Sequence, residues 1–155
     1  MTTKDFIQNV LINEIGQIVT NHPFLSFTLI CVGIELLGMC MNGKPKWGSS
    51  GKYGKDFKAG IDLMPDKYQN IKQKLYDDLR NGMAHYLSPK SFILGEYKNV
   101  NISYDDHLKT HQNIIIVDHL YEDFVIACEK VLEKEFSEND KVNKDFLYVG
   151  PLTSP

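Results

Sequence analysis

The sequence predicts a mainly α-helical protein: an antiparallel bundle of four or five helices with a small antiparallel β insertion between the last two helices. Three observations support this prediction. Apolar residues recur at helical spacing, the loops between helical segments are short, and the period changes to that of strands only late in the chain. The 155 residues, 43% of them hydrophobic and 24% charged, suit one globular domain.

Five helical segments follow one another along the chain. The first covers residues 4–20, and the second begins at Pro23 and ends near Met41, where Asn42-Gly43 follows. A short helix covers 56–63, a long fourth helix covers about 65–86, and the last covers 118–135. The apolar stripe of the fourth helix comprises Tyr68, Ile71, Leu75, Leu79, Met83 and Tyr86.

The β insertion is predicted at about residues 90–117. Two runs of strand-forming residues, 92–94 and 113–117, are expected to pair antiparallel, with an extra strand at 100–104 as a further candidate. Residues 1–136 would form the helical domain, and 137–155 a charged, extended C-terminal tail.

The net charge and the number of cysteines restrict the classes of function and the compartment that the sequence predicts. The net charge of −3 excludes a chain that is basic throughout, so contact with nucleic acid would come from a local patch or a catalytic site. The chain has three cysteines, Cys31, Cys40 and Cys128, and this low, odd number argues against a disulfide framework. Together with an N-terminus that does not have the pattern of a signal peptide, they predict reduced, buried thiols and a cytoplasmic protein.

Residues 24–41 are almost continuously apolar, which raises the question of a membrane span. Glu35 lies in the middle of this run and would be costly in lipid, and Gly33 and Gly38 weaken the span. We therefore expect a central core helix and no membrane association.

The fourth helix carries the sharpest chemical signal. Arg80 is the single arginine beside sixteen lysines, and its fixed fork of donors matches a carboxylate or phosphate. Asn81 and His85 follow on the polar side of the helix, one turn apart. An imidazole can move the proton of a ribose 2′-hydroxyl while a guanidinium holds the charge on the phosphate. The structural alternative is that Arg80 pairs with Asp77 and that His85 caps the helix.

The pattern R-N-x-x-x-H, formed by Arg80, Asn81 and His85 late in a long helix, resembles the HEPN (higher eukaryotes and prokaryotes nucleotide-binding) domain family. The resemblance extends over about residues 4–135 as architecture. It implies a metal-independent endoribonuclease with no cofactor, acting as a homodimer through the Arg80/His85 helix. It further implies a toxin or defence component held by an inhibitory protein partner. Other members of the family are inactive or bind a nucleotide or a protein, so a non-catalytic binding module is the alternative.

Glu35 is the second candidate, because an acid in an apolar helix needs a partner. Either it orients Arg80 or His85 in the site, or it forms an ordinary salt bridge with a lysine. We expect the unique arginine to be that partner.

The loop that follows the second helix is rich in lysine and glycine. Two interpretations remain open: it binds the RNA backbone and stacks a base, or it is a solvated charged loop. The RNA-binding candidates are Lys44, Lys46, Trp47, Lys52 and Tyr53.

The remaining histidines predict no metal site. His107 and His111 have a spacing that suits ligands on a helix, but they lie in a predicted loop and strand, without a cysteine or acid to complete a zinc set. We expect His107, His111 and His119 to lie on the surface.

Overall fold

The computed structural model describes residues 2–42, 54–109, 111 and 113–135, and these residues are mainly helical. The elements in chain order are α1 (Thr3–Phe6), π1 (Ile7–Glu14, a π-helix), α2 (Ile15–Asn21), α3 (Pro23–Met41), α4 (Lys55–Ile61), a 3₁₀ helix (Asp66–Ile71), α5 (Lys72–Lys74), π2 (Leu75–Arg80, a π-helix), α6 (Asn81–Tyr86), β1 (Ile93–Gly95), β2 (Ile114–Ile116) and α7 (Val117–Leu132).

The first helical stretch begins with a capping box. The backbone N–H of Asp5 donates to the Thr2 hydroxyl at 3.0 Å, and the backbone N–H of Thr2 donates to the Asp5 carboxylate at 2.9 Å. Two donors that a helix start leaves unpaired are satisfied in this way. Segments α1, π1 and α2 then follow without a break, as the predicted helix over 4–20 requires.

Helix α3 lies at the centre of the described fold and packs against α2, α4 and α7. Its contact with α4 brings the two backbones together. A Cβ atom on Gly38 would lie 1.7 Å from the Asp56 carbonyl oxygen, and one on Gly60 would lie 1.9 Å from the Ile34 carbonyl oxygen. Only glycine permits so close an approach.

By length and composition, α3 could also cross a membrane, and 50% of its most apolar window is buried in the fold. Core helices of soluble proteins pass the same test, so this finding is weak evidence for a span. The uncovered side carries four large apolar residues with exposures between 37% and 50%: Phe24, Leu25, Leu29 and Val32.

The antiparallel strand pairing predicted from the sequence is wrong. Strands β1 and β2 are parallel, with Ile93 opposite Ile114 and Gly95 opposite Ile116. Residues 96–113 connect the two strands and are long enough for the chain to cross back before β2 begins. The candidate strand at 100–104 is also wrong, because these residues form bends, turns and irregular backbone.

The structure also contradicts two predictions about burial, one for Tyr86 and one for the histidines. Tyr86 continues the apolar stripe of its helix but is 75% exposed, because no element in the described part of the chain covers it. His107 and His119 are buried and not on the surface, because their rings pack 5.5 Å apart against each other and against Tyr68 and Tyr104, whereas His111 is exposed. The predicted tail, 137–155, lies outside the described residues.

Candidate functional site

The helix that carries the motif changes its winding at Arg80. Segment π2 ends at this residue, and α6 begins at Asn81. Leu75, Leu79 and Met83 are fully buried and fix the inner face of the helix, as predicted from their spacing. A π-helical turn shifts the residues that follow it around the axis, and such turns are frequent at functional sites.

Arg80 is held by Glu35 of α3. Its Nε lies 2.9 Å and its Nη2 2.7 Å from the same carboxylate oxygen, Glu35 Oε2. The two side chains are 23% and 21% exposed, so the ion pair lies at the edge of the core. The expected contact between the unique arginine and the acid of the apolar helix is confirmed.

Asn81 accepts a third hydrogen bond from the guanidinium. Arg80 Nη1 donates to Asn81 Oδ1 at 2.9 Å, and the ring of Tyr76 lies 6.0 Å from Arg80 Cζ. Since a guanidinium has five N–H donors, these contacts leave at least two of them for another acceptor. The arrangement therefore presents a fixed, partly desolvated donor pair at the protein edge.

His85 lies on a different side of the same helix. Its side chain is exposed, and its ring meets the ring of Tyr86 with 6.2 Å between centroids. His85 follows Arg80 by five positions along the helix, which corresponds to about 140° around the axis and roughly 7.5 Å along it. The motif thus presents its imidazole and guanidinium in different directions.

Cys31 lies within the electrostatic reach of this ion pair. Burial raises the pKa of its thiol to about 12, Arg80 opposes that rise, and Glu35 adds to it. The thiol is therefore protonated and unreactive at neutral pH. All three cysteines are free and buried, as expected.

The remaining candidates from the sequence are the lysine-rich loop and possible metal ligands. The loop residues Lys44, Lys46, Trp47, Lys52 and Tyr53 lie outside the described residues. Within the described part of the chain, no group of three or more His, Cys, Asp or Glu side chains is arranged to hold a metal ion.

Sequence reasoning missed a second polar cluster, which is centred on Asp123 of α7. This fully buried carboxylate accepts from Tyr68 Oη at 2.7 Å and from Tyr104 Oη, and it pairs with Lys67 Nζ at 2.8 Å. The ring of His107 lies edge-on to Tyr68 with 6.2 Å between centroids. The available signal was Asp123 itself, next to Phe124 on the apolar side of a predicted amphipathic helix.

Comparison with known proteins adds no relative: no protein-family model, no curated protein and no solved structure matches this chain.

Proposed function

We propose that this protein is a metal-independent endoribonuclease of the HEPN-like type that cleaves single-stranded RNA. The observation that carries the proposal is the guanidinium of Arg80, which is fixed by Glu35 and Asn81 and keeps free donors on the helix that also presents His85. A fixed guanidinium suits charge that develops on a phosphate in the transition state.

In this reaction the ribose 2′-oxygen attacks the adjacent phosphorus and loses its proton to a base. The bond from phosphorus to the 5′-oxygen breaks, and that oxygen takes a proton from the conjugate acid. The products are a 2′,3′-cyclic phosphate and a 5′-hydroxyl. His85 supplies the base and acid, Arg80 stabilises the phosphate charge, and Glu35 and Asn81 position Arg80.

The partner in this proposal is a second copy of the chain. Arg80 and His85 diverge by about 140° around one helix, so a site using both groups combines Arg80 of one copy with His85 of the other. Exposed Tyr86 (75%) and Leu87 (59%) at the end of α6 supply apolar surface for such a homodimer through the Arg80/His85 helix.

A non-catalytic binding module is the second candidate. Glu35 balances the charge of Arg80 within the chain, which reduces the attraction of the site for RNA. In this alternative, Arg80 and His85 line a site for a nucleotide or a partner protein. Under either proposal the protein acts in the cytoplasm, and as a nuclease it would be a toxin or defence component restrained by an inhibitory protein.

The decisive assay follows cleavage of mixed-sequence single-stranded RNA in excess EDTA. We expect the native protein to release products ending in a 2′,3′-cyclic phosphate, and Arg80→Ala and His85→Ala each to reduce the rate at least about a hundredfold. His111→Ala, which removes another exposed histidine, serves as the control and should keep native activity. A folded native protein that leaves RNA intact would favour the binding module.

A further inference from the structure

In the segment that joins β1 to β2, residues 96–113, the described part is held to the helical core by buried polar side chains. Tyr104 Oη donates to the Asp123 carboxylate, and His119 Nε2 lies 2.9 Å from the Ile102 carbonyl oxygen. Both anchors belong to α7. The described part of this segment thus depends on side-chain contacts with the helical core, in addition to the short strand pairing at its ends.

His107 makes a further hydrogen bond, and this bond identifies which ring nitrogen carries the proton. Its Nε2 accepts the backbone N–H of Ile116 at 3.1 Å, and Ile116 belongs to β2. A nitrogen that accepts a hydrogen bond carries no proton, so the neutral ring has its hydrogen on Nδ1. A second proton on Nε2 would point at the Ile116 N–H and break this bond. The ring is fully buried, and Nδ1 has no hydrogen-bond partner among the described residues.

The surroundings of His107 oppose a positive charge. The rings of His107 and His119 lie 5.5 Å apart, and Lys67 of the 3₁₀ helix is held nearby by Asp123 at 2.8 Å. Burial is the largest cause of a lowered pKa, followed by Lys67 and His119, and together they bring the pKa of His107 to about 3. The titratable and charged groups at this ring, or in contact with its neighbours, are Lys67 and Tyr68 from the 3₁₀ helix, Tyr104 from its own segment, and His119, Glu122 and Asp123 from α7.

We propose that His107 is an acid-sensitive lock: in its neutral form it fastens the segment between β1 and β2, and protonation releases that segment while the packing of α3 persists. The direction of the pH dependence follows from the proton affinity of His107 in the locked and released forms. Once the segment is released, His107 binds a proton more readily than in the locked form. The lock is therefore complete above about pH 6.5 and weakens as the pH falls from there towards 3.

Hydrogen exchange measured on the full chain at pH 7 and pH 4 tests this proposal. After correction for intrinsic exchange rates, we expect protection of amides in 96–109 and in β2 to fall on the order of a hundredfold at pH 4. Amides in α3 should keep their protection. In His107→Gln the amide oxygen still accepts the Ile116 N–H but does not titrate, so the acid response should shrink below about tenfold. His111→Gln, at an exposed histidine, should respond as the native chain does.

Two results would overturn the lock. One is an acid response of the same size in His107→Gln and in the native chain, which would assign it to other groups. The other is loss of protection in α3 together with the segment, which would show global unfolding. If His107→Gln does not fold, ¹⁵N NMR of the native imidazole decides. A ring with its proton on Nε2 at pH 7 would contradict the proposal, and a proton on Nδ1 with titration well below pH 6 would support it.

Discussion

At the residue scale, Arg80 owes its orientation to acceptors on two different elements. Arg80 Nε and Nη2 contact the carboxylate of Glu35 in α3, while Arg80 Nη1 donates to the side-chain oxygen of Asn81 in α6. A long side chain that is fixed in this way loses its rotamer freedom during folding and not when a ligand binds. The remaining donors are thus already oriented in the folded protein before any acceptor binds.

Glu35→Gln tests the importance of this orientation. The substitution keeps the shape of the side chain but removes its charge, and it leaves the partly buried guanidinium without an ion pair. We expect the free energy of unfolding, measured in urea, to fall by about 1–2 kcal/mol. RNA cleavage should fall through kcat more than through KM. Asp62→Asn, which breaks the exposed ion pair with Lys72, should cost less than about 1 kcal/mol. Equal losses in the two variants would show that the Glu35 pair has no special structural role.

The contact between Arg80 and Glu35 could be predicted because each residue stands out in the sequence. One arginine among sixteen lysines and one acid inside an apolar helix both need partners. The Asp123 cluster could not be assembled in the same way. The cluster includes Lys67, Tyr104 and His107, which come from segments whose relative positions depend on tertiary packing. Taken alone, each is a residue type that is rarely fully buried.

At the element scale, periodicity predicted the helices but not how far the core covers them. Leu75, Leu79 and Met83 are buried as their spacing predicts, yet Tyr86 on the same stripe is exposed because no described element covers that end of the helix. The direction of the strands was unpredictable for a related reason. Short apolar runs show that strands exist, but the path of residues 96–113 decides whether the pair is parallel.

Gly38→Ala tests the close packing of α3 on α4. The new methyl group would overlap the Asp56 carbonyl oxygen, and backbone atoms cannot move aside as a side chain can. We expect the free energy of unfolding to fall by about 2–4 kcal/mol, as for overpacking in a core. Gly95→Ala is the matched control, since its Cβ would meet only side-chain atoms, at 3.0 Å or more. A Gly38→Ala protein as stable as the native one would contradict this packing.

At the scale of the whole molecule, two polar groups connect parts of the chain that are distant in sequence. The ion pair between Arg80 and Glu35 links the motif helix to α3, and Asp123 links α7 to the 3₁₀ helix and to the segment before β2. Both lie beside apolar packing and fix how the elements are oriented against one another. The first faces the protein edge and suits a site, whereas the second is fully buried and suits a structural role.

Asp123→Asn should weaken the whole fold. The amide can still accept a hydrogen bond, but it leaves Lys67, whose side chain is 8% exposed, without a counter-charge. We expect a loss of about 3–5 kcal/mol in the free energy of unfolding. Tyr104→Phe, which removes one of the hydrogen bonds to the same carboxylate, should cost about 1–2 kcal/mol. If Asp123→Asn costs no more than Tyr104→Phe, the buried ion pair does not stabilise the fold as argued.

The measurement that tests the central claim most directly is RNA cleavage in excess EDTA by a mixture of Arg80→Ala and His85→Ala chains. Each variant alone should be inactive. When the chains are mixed, unfolded and refolded together, half of the dimers combine both variants, and each of these regains one site with a native arginine and a native histidine. We predict recovery of about a quarter of native activity. A native protein that cleaves RNA while the mixture stays inactive would contradict the shared site, and a native dimer that cleaves no RNA would contradict the nuclease itself.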